Sequence, residues 1–180
     1  MIDAAVKEFG AVDVLVNNAG VLDDFLPVGE LINAVWTRVM DINVNGPMYA
    51  SRRVVPLMLK QGKGAIINIS SVGGQNGSRA GVAYTTSKHA LIGMTKNIAF
   101  QYADKGIRCN AIAPGGVNTN IVAGMHPNAL GYAKLSLGLQ IMPRAGEPGE
   151  IAEVALFLAS EKSSFVNGEV LVADGGWTAY

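Results

Sequence analysis

The sequence predicts an α/β fold in which a parallel sheet is covered by helices on both faces. Short, almost wholly apolar, β-branched runs alternate with longer segments of helical character. A strand that is apolar on both sides needs cover on both sides, and that is the condition of a parallel sheet. The stretches "NNAG", "SSVGGQNG" and "PGGVNTN" each follow an apolar run directly. They therefore fall at the carboxyl ends of strands, where open α/β sheets bind their ligands. The 180 residues show no repeat and no linker-like shift in composition, so residues 1–180 are read as one domain.

The elements follow in order. Residues 1–9 read as the last turns of a helix that stops at Gly10, and residues 12–16 as a short β-branched strand. Residues 31–60 have helical character. Two helices are expected there, broken near residues 43–47, because Gly46 and Pro47 interrupt the hydrogen-bond ladder. "AIINI" at residues 65–69 is the second strand. The glycine-rich loop 71–81 leads into a long helix over about residues 84–103. A third strand at 107–113 ends at Pro114 and Gly115. Residues 119–139 have weak helical character, Pro148 opens a helix as proline often does in a first turn, and residues 169–173 form the last strand.

Hydrophobic residues make up 49% of the chain and charged residues 16%, which fits a well-buried α/β protein. Fourteen basic residues balance fourteen acidic ones. With no basic excess to neutralise phosphates, a nucleic-acid or anionic-membrane partner is not expected. No apolar run reaches the roughly 18 residues of a membrane span. Asp3 and Glu8 stand where a secretory leader would carry a basic and then an apolar segment. Cys109 is the only cysteine, so no intrachain disulfide can form and a cytoplasmic setting is expected. Acidic residues and histidines do not cluster, and no metal site is expected.

Tyr84 and Lys88 are four residues apart near the start of a helix and share one face. Alone, such a pair carries little weight. Its company carries more: Ser71 lies thirteen residues upstream in the loop after the second strand, Asn43 sits at the helix interruption, and "NNAG" and "PGGVNT" close two neighbouring strands. "NNAG" at 17–20, "DINVNG" around Asn43, "ISS" at 69–71, "YTTSK" at 84–88, "NAIAPGGVNT" at 110–119 and the closing "ADGG" occur in that order and spacing. From residue 1 to residue 180 the chain resembles a short-chain dehydrogenase/reductase of the common NAD(P)-dependent type.

The resemblance implies a Rossmann-like sheet and hydride transfer between NAD or NADP and a ketone or secondary alcohol. Tyr84 would be the general acid/base, its phenol brought down from about 10 by the Lys88 ammonium. Lys88 would also donate to the nicotinamide ribose, Ser71 would orient and polarise the substrate oxygen, and Asn43 would hold a water that links Lys88 to solvent. Asn18, Ala19 and Gly20 would line the adenosine half of the cofactor. Pro114, Gly115, Val117 and Thr119 would shape the carboxamide and phosphate side. A homodimer or homotetramer is implied, packed through helix residues 91–99 and the last strand.

Other residues are expected to do less. Cys109 reads as a buried small hydrophobe and His89 as a surface or interface residue, because adjacent helix positions do not share a face. His126 reads as a solvated loop histidine. Met125, Leu130, Tyr132, Leu135, Leu137 and Leu139 fit an apolar substrate lid and ordinary helix packing equally well.

Enzymes of this kind also carry a T-G-x-x-x-G-x-G turn that binds the pyrophosphate at a helix N-terminus. None of the 22 glycines stands in that arrangement. The expectation is an N-terminally truncated fold of about four strands, with the strand at 12–16 left as an exposed edge. Three readings stay open. The chain is part of a longer oxidoreductase or the product of a misplaced start; or it is a natural short form, a catalytically incompetent subunit or interaction protein unable to bind the dinucleotide; or it is a minimal domain that dimerises through its bare edge and binds a ligand without redox chemistry.

Overall fold

The computed structural model describes residues 1–179. Helix α1 (Ile2–Phe9) ends at Gly10 in a left-handed conformation, and β1 (Val14–Asn17) follows. Helices α2 (Asn33–Met40) and α3 (Gly46–Gln61) lead to β2 (Gly64–Ile69). Helix α4 (Val82–Tyr102) precedes β3 (Ile107–Pro114), and α5 (Ala129–Leu139) and α6 (Pro148–Ala159) precede β4 (Val170–Ala173). The four strands form one parallel sheet in the order β1-β2-β3-β4.

Alternation along the strands divides the core. Leu15, Ile66 and Cys109 are register partners and face α1, α3 and α4, packing with Ile2, Val54, Met58 and Ile98. At alternate positions Ala65, Ile67 and Ile112 face the other way and pack with Leu158, Ile151 and Val154 of α6. The asparagine within "AIINI" is fully buried and fully answered. Asn68 accepts from Asn17 at 2.7 Å and donates to Thr95 Oγ1 at 2.8 Å, so the polar side chain ties β1, β2 and α4 together instead of leaving an orphaned amide.

Among the described residues β1 pairs only with β2, and Val14 and Val16 are 39% and 46% exposed. This is the expected open edge, although the strand runs 14–17 instead of 12–16. The two expected helices are α2 and α3, but the interruption between them leaves the backbone helical. Asp41–Asn45 form a π turn that joins α2 to α3 with helical backbone throughout, and the Gly46 N–H reaches back to the Asp41 carbonyl. A five-residue step absorbs the missing Pro47 N–H without breaking the ladder, so the proline marks a widened turn and not an end. Helix α4 starts two residues earlier than expected. Residues 119–139 resolve into a 3-10 turn at Asn120–Val122 and the helix α5.

At the opposite end of the sheet from these loops, Gly106 enters β3 at φ +74° and its carbonyl accepts from Gly64 N at 3.1 Å. A Cβ there would overlap the Gly62 carbonyl. Gly106→Ala is expected to destabilise the protein by roughly 2–4 kcal/mol. Gly149, in the first turn of α6, has open space around its Cβ position, and Gly149→Ala should gain up to about 1 kcal/mol. Urea midpoints of the two variants test both signs.

Candidate active site

The carboxyl ends of β1, β2 and β3 open on one side of the molecule, and α4 runs against them. β2 ends at Ile69, and Ser71 starts a single 3-10 turn over Val72–Gly74. The Ser71 hydroxyl accepts the Gly73 N–H at 3.0 Å, which fixes the oxygen and leaves its own proton free to donate. Ser70 donates to the Lys88 carbonyl at 3.0 Å, and the Lys88 ammonium donates to the Ile69 carbonyl at 2.7 Å. A Cβ at Gly74 would lie 2.6 Å from Ser70 Oγ and 2.9 Å from the Lys88 carbonyl oxygen. The strand end and the helix therefore touch through a position that only glycine fills. Lys88 Nζ lies 5.5 Å from the centre of the Tyr84 ring.

Helix α4 starts at Gly81 without a capping side chain of its own. The cap comes from a distant segment: Asp23, buried, accepts from Gly81 N at 3.0 Å and from Tyr84 N at 2.9 Å. Its carboxylate answers two of the helix's orphan N–H groups and fixes the turn that carries Tyr84. Sequence reasoning missed Asp23. The available signal was negative: "GVAY" offers no serine, threonine, aspartate or asparagine at the helix start, so an acceptor had to come from elsewhere.

Asn43 sits at the centre of the π turn, fully buried. Its side chain accepts the Val21 N–H at 2.9 Å and donates to the Val21 carbonyl at 3.0 Å and to Ser87 Oγ at 3.0 Å. The amide is thus spent on holding the loop after β1 against α4. Gly20 lies between the two groups: a Cβ there would be 3.4 Å from Lys88 Nζ and 3.5 Å from Asn43 Oδ1.

Two cavities meet at this end of the sheet. The larger, about 740 Å³, is lined by Asn18, Ala19, Gly20, Tyr84, Lys88, Pro114, Gly115, Val117 and Thr119, together with Ser71. All nine residues expected at a cofactor from the sequence are on its wall, and Asn43 lies behind it. The smaller, about 410 Å³, is lined mainly by apolar side chains, including Leu22, Phe25, Met125, Tyr132, Leu135 and Leu139. Ser71, Tyr84, Gly115, Val117 and Ile121 belong to both walls. Of the six residues considered for a lid, four line this cavity, whereas Leu130 and Leu137 point outward and are more than half exposed.

The electrostatics differ from expectation at one point. Burial pushes the Tyr84 phenol up to about 12; the neighbouring Asp23 charge adds to the rise, and the Ser71 hydroxyl offsets part of it. The expected lowering by Lys88 does not dominate, because the ammonium turns toward the Ile69 carbonyl and is itself desolvated, down to about 8. Burial also raises Asp23 against the pull of its backbone N–H partners. Cys109 is fully buried, and His89 and His126 are exposed. Leu91, Ile92, Ile98 and Ala99 of α4 are buried within this chain, whereas Gly93, Lys96, Asn97 and Phe100 of the same helix are exposed. Among the described residues no group of histidines, cysteines and carboxylates stands together as a metal site, and no helix is long and apolar enough to cross a membrane.

Comparison with known proteins agrees with this geometry. A family model described as enoyl-(acyl carrier protein) reductase matches residues 1–178. The chain is 50% identical over 182 residues to 3beta-hydroxysteroid dehydrogenase 2 of Eggerthella lenta, covering 100% of this chain and 70% of that protein. It is 39% identical over 181 residues to cis-4-hydroxycyclohexanecarboxylate dehydrogenase of Sinomonas cyclohexanicum, covering 99% and 71%. A solved gluconate 5-dehydrogenase from Burkholderia cenocepacia J2315, in complex with NADP and tartrate, superimposes with a TM-score of 0.88 at 33% identity, over 99% of this chain and 69% of that one. The four-stranded parallel sheet, the paired cavities and these matches lead to one assignment: the chain belongs to the short-chain dehydrogenase/reductase family of NAD(P)-dependent oxidoreductases.

Proposed function

We propose that the chain activates a secondary alcohol or ketone for hydride exchange with NAD or NADP, with Tyr84, Lys88, Ser71 and Asn43 as its working groups. The observation that carries this reading is the shared wall. Ser71 and Tyr84 stand where a larger, partly polar cavity meets a smaller apolar one, which is where a reacting carbon between two bound molecules must lie. The larger cavity fits the nicotinamide end of a dinucleotide. Gly20 keeps the wall low beside Lys88, and the Lys88 ammonium has two N–H groups beyond the one given to Ile69. The dinucleotide, when bound there, supplies or accepts the hydride.

The protein's own part is proton handling. With its phenol near 12, Tyr84 is the acid form at neutral pH, suited to giving a proton to the oxygen of a ketone as it becomes an alkoxide. The reverse reaction needs phenolate, and the Lys88 ammonium, 5.5 Å from the ring centre, is the positive charge on hand to favour it. The free Ser71 proton polarises the same oxygen. Asn43 keeps the loop after β1 in place, and its backbone carbonyl offers a water a seat near Lys88. Two of the relatives named above, the 3beta-hydroxysteroid and the cis-4-hydroxycyclohexanecarboxylate dehydrogenases, carry the names of ring-bearing substrates, and the apolar smaller cavity suits a substrate of that kind. A homodimer or homotetramer and a cytoplasmic setting are proposed from the family likeness.

The second reading is a subunit or interaction protein that performs no redox turnover. The 180 residues hold no T-G-x-x-x-G-x-G turn, and they span 70% of the length of the hydroxysteroid dehydrogenase they match. Turnover of a cyclic secondary alcohol with NAD or NADP separates the two, and none with either dinucleotide would favour the second. Under the first, Tyr84→Phe lowers kcat by about 10²–10⁴ while leaving the fold intact by circular dichroism. Wild-type turnover in that variant sinks the proposal.

Lys88 gives a pH test of sign. Its native value near 8 lies below the 10.5 of a free lysine, so between these values the unfolded chain holds a proton that the native one has released. Stability relative to Lys88→Met should therefore rise with pH from about 8 toward 10.5, by roughly 1–3 kcal/mol. Below pH 8 the two stabilities should run parallel, as chemical denaturation at stepped pH would show.

A further inference from the structure

We propose that Arg79 selects substrates carrying a carboxylate on a hydrocarbon body, several atoms from the carbon that reacts at Tyr84. This rests on the alcohol and ketone reading above and narrows its substrate class. The smaller cavity has a mainly apolar wall and one cation, Arg79. An apolar wall takes a hydrocarbon body. A guanidinium in such a wall carries a desolvation cost until an anion answers it.

Nothing among the described residues answers it. The four salt bridges there involve Arg53, Lys63, Lys105 and Arg144. Asp23 commits both carboxylate oxygens to the N–H groups of Gly81 and Tyr84. Arg79 Nε is sealed from solvent and meets no acceptor. The group is nevertheless held in place: its central carbon sits 4.4 Å above the centre of the Trp177 ring, and Trp177 is anchored by its indole N–H on the Gly138 carbonyl at 2.7 Å. Stacking orients the planar fork without cancelling its charge.

The position suits a substrate that spans the cavity. A Cβ at Gly73 would lie 3.5 Å from Arg79 Cβ and 3.7 Å from Tyr84 Cε1, so the two side chains rise from one corner on either side of that glycine. A hydrocarbon alcohol held with its oxygen at Tyr84 and Ser71 would lie along the apolar wall, with a distal carboxylate in reach of the guanidinium. Two parallel N–H···O bonds would then form between the planar guanidinium and the carboxylate, the pairing that distinguishes arginine from lysine.

The test uses the full chain and two ligand pairs of different length. These are cis-4-hydroxycyclohexanecarboxylate and a 3-hydroxysteroid with a carboxylate side chain, each beside its methyl ester, titrated calorimetrically. At least one acid should bind about tenfold or more tightly than its ester and change a tryptophan emission that Trp177→Phe removes. The acid-to-ester ratio should fall toward one in Arg79→Met and be partly kept in Arg79→Lys. Circular dichroism checks both folds, and the lysine variant decides if the methionine variant does not fold. Esters and acids binding alike, or an acid preference that survives in Arg79→Met, would overturn the assignment while leaving the alcohol and ketone reading in place. Absence of binding by all four, together with absence of turnover, would overturn both.

Discussion

The site depends on one close approach, that of the β2 end to helix α4. Three links hold it: Lys88 Nζ on the Ile69 carbonyl, Ser70 on the Lys88 carbonyl, and the bare Cα of Gly74 between them. Each link uses a group whose neighbour has a proposed chemical task. Ser70 precedes Ser71, and Lys88 lies one helical turn beyond Tyr84. Because the backbone contact leaves no room for a side chain at Gly74, the hydroxyl, the phenol and the ammonium come from two segments that are pinned against each other. Asp23 adds a third segment by capping the first turn of α4, and Asn43 adds a fourth by clamping the loop after β1.

That compactness has an electrostatic cost. Burying Tyr84 and Lys88 side by side raises one and lowers the other, so each is driven toward its neutral form. Placing Asp23 beside the phenol pushes in the same direction. The carboxylate nonetheless stabilises the start of a 21-residue helix that has no side-chain cap of its own. Phenol and ammonium are thus both held toward their neutral forms in this site.

Much of this was legible in the sequence, for identifiable reasons. Parallel strands are apolar on both faces, so the four runs could be found without knowledge of their neighbours. Their order placed "NNAG", "ISS" and "PGGVNT" at one end of the sheet, and the nine residues expected there do share a cavity. What stayed hidden depended on distance in space. Asp23 caps a helix 58 residues away in sequence, and Arg79 meets Trp177 only after the last strand has folded in. Neither contact leaves a local pattern. The interruption between α2 and α3 was legible from Gly46 and Pro47, but its form was not, because a π turn is a tertiary accommodation made worthwhile by what Asn43 holds.

A π turn is one residue longer than the α turn it replaces, so the stretch from α2 to α3 is in effect a regular helix with an insertion. Loss of any one residue from Asp41–Asn45 would let the backbone close into an ordinary helix, at no cost in hydrogen bonds except at Pro47. It would also turn α2 by ~100° against α3 and carry Asn43 away from Val21 and Ser87. The helix as a backbone is therefore tolerant of shortening, and the polar anchor is not. A lineage that no longer needed the loop after β1 held in place could shed the extra residue with little damage to the sheet or its cover. The insertion is a length record of the site, written in a helix that would be more regular without it.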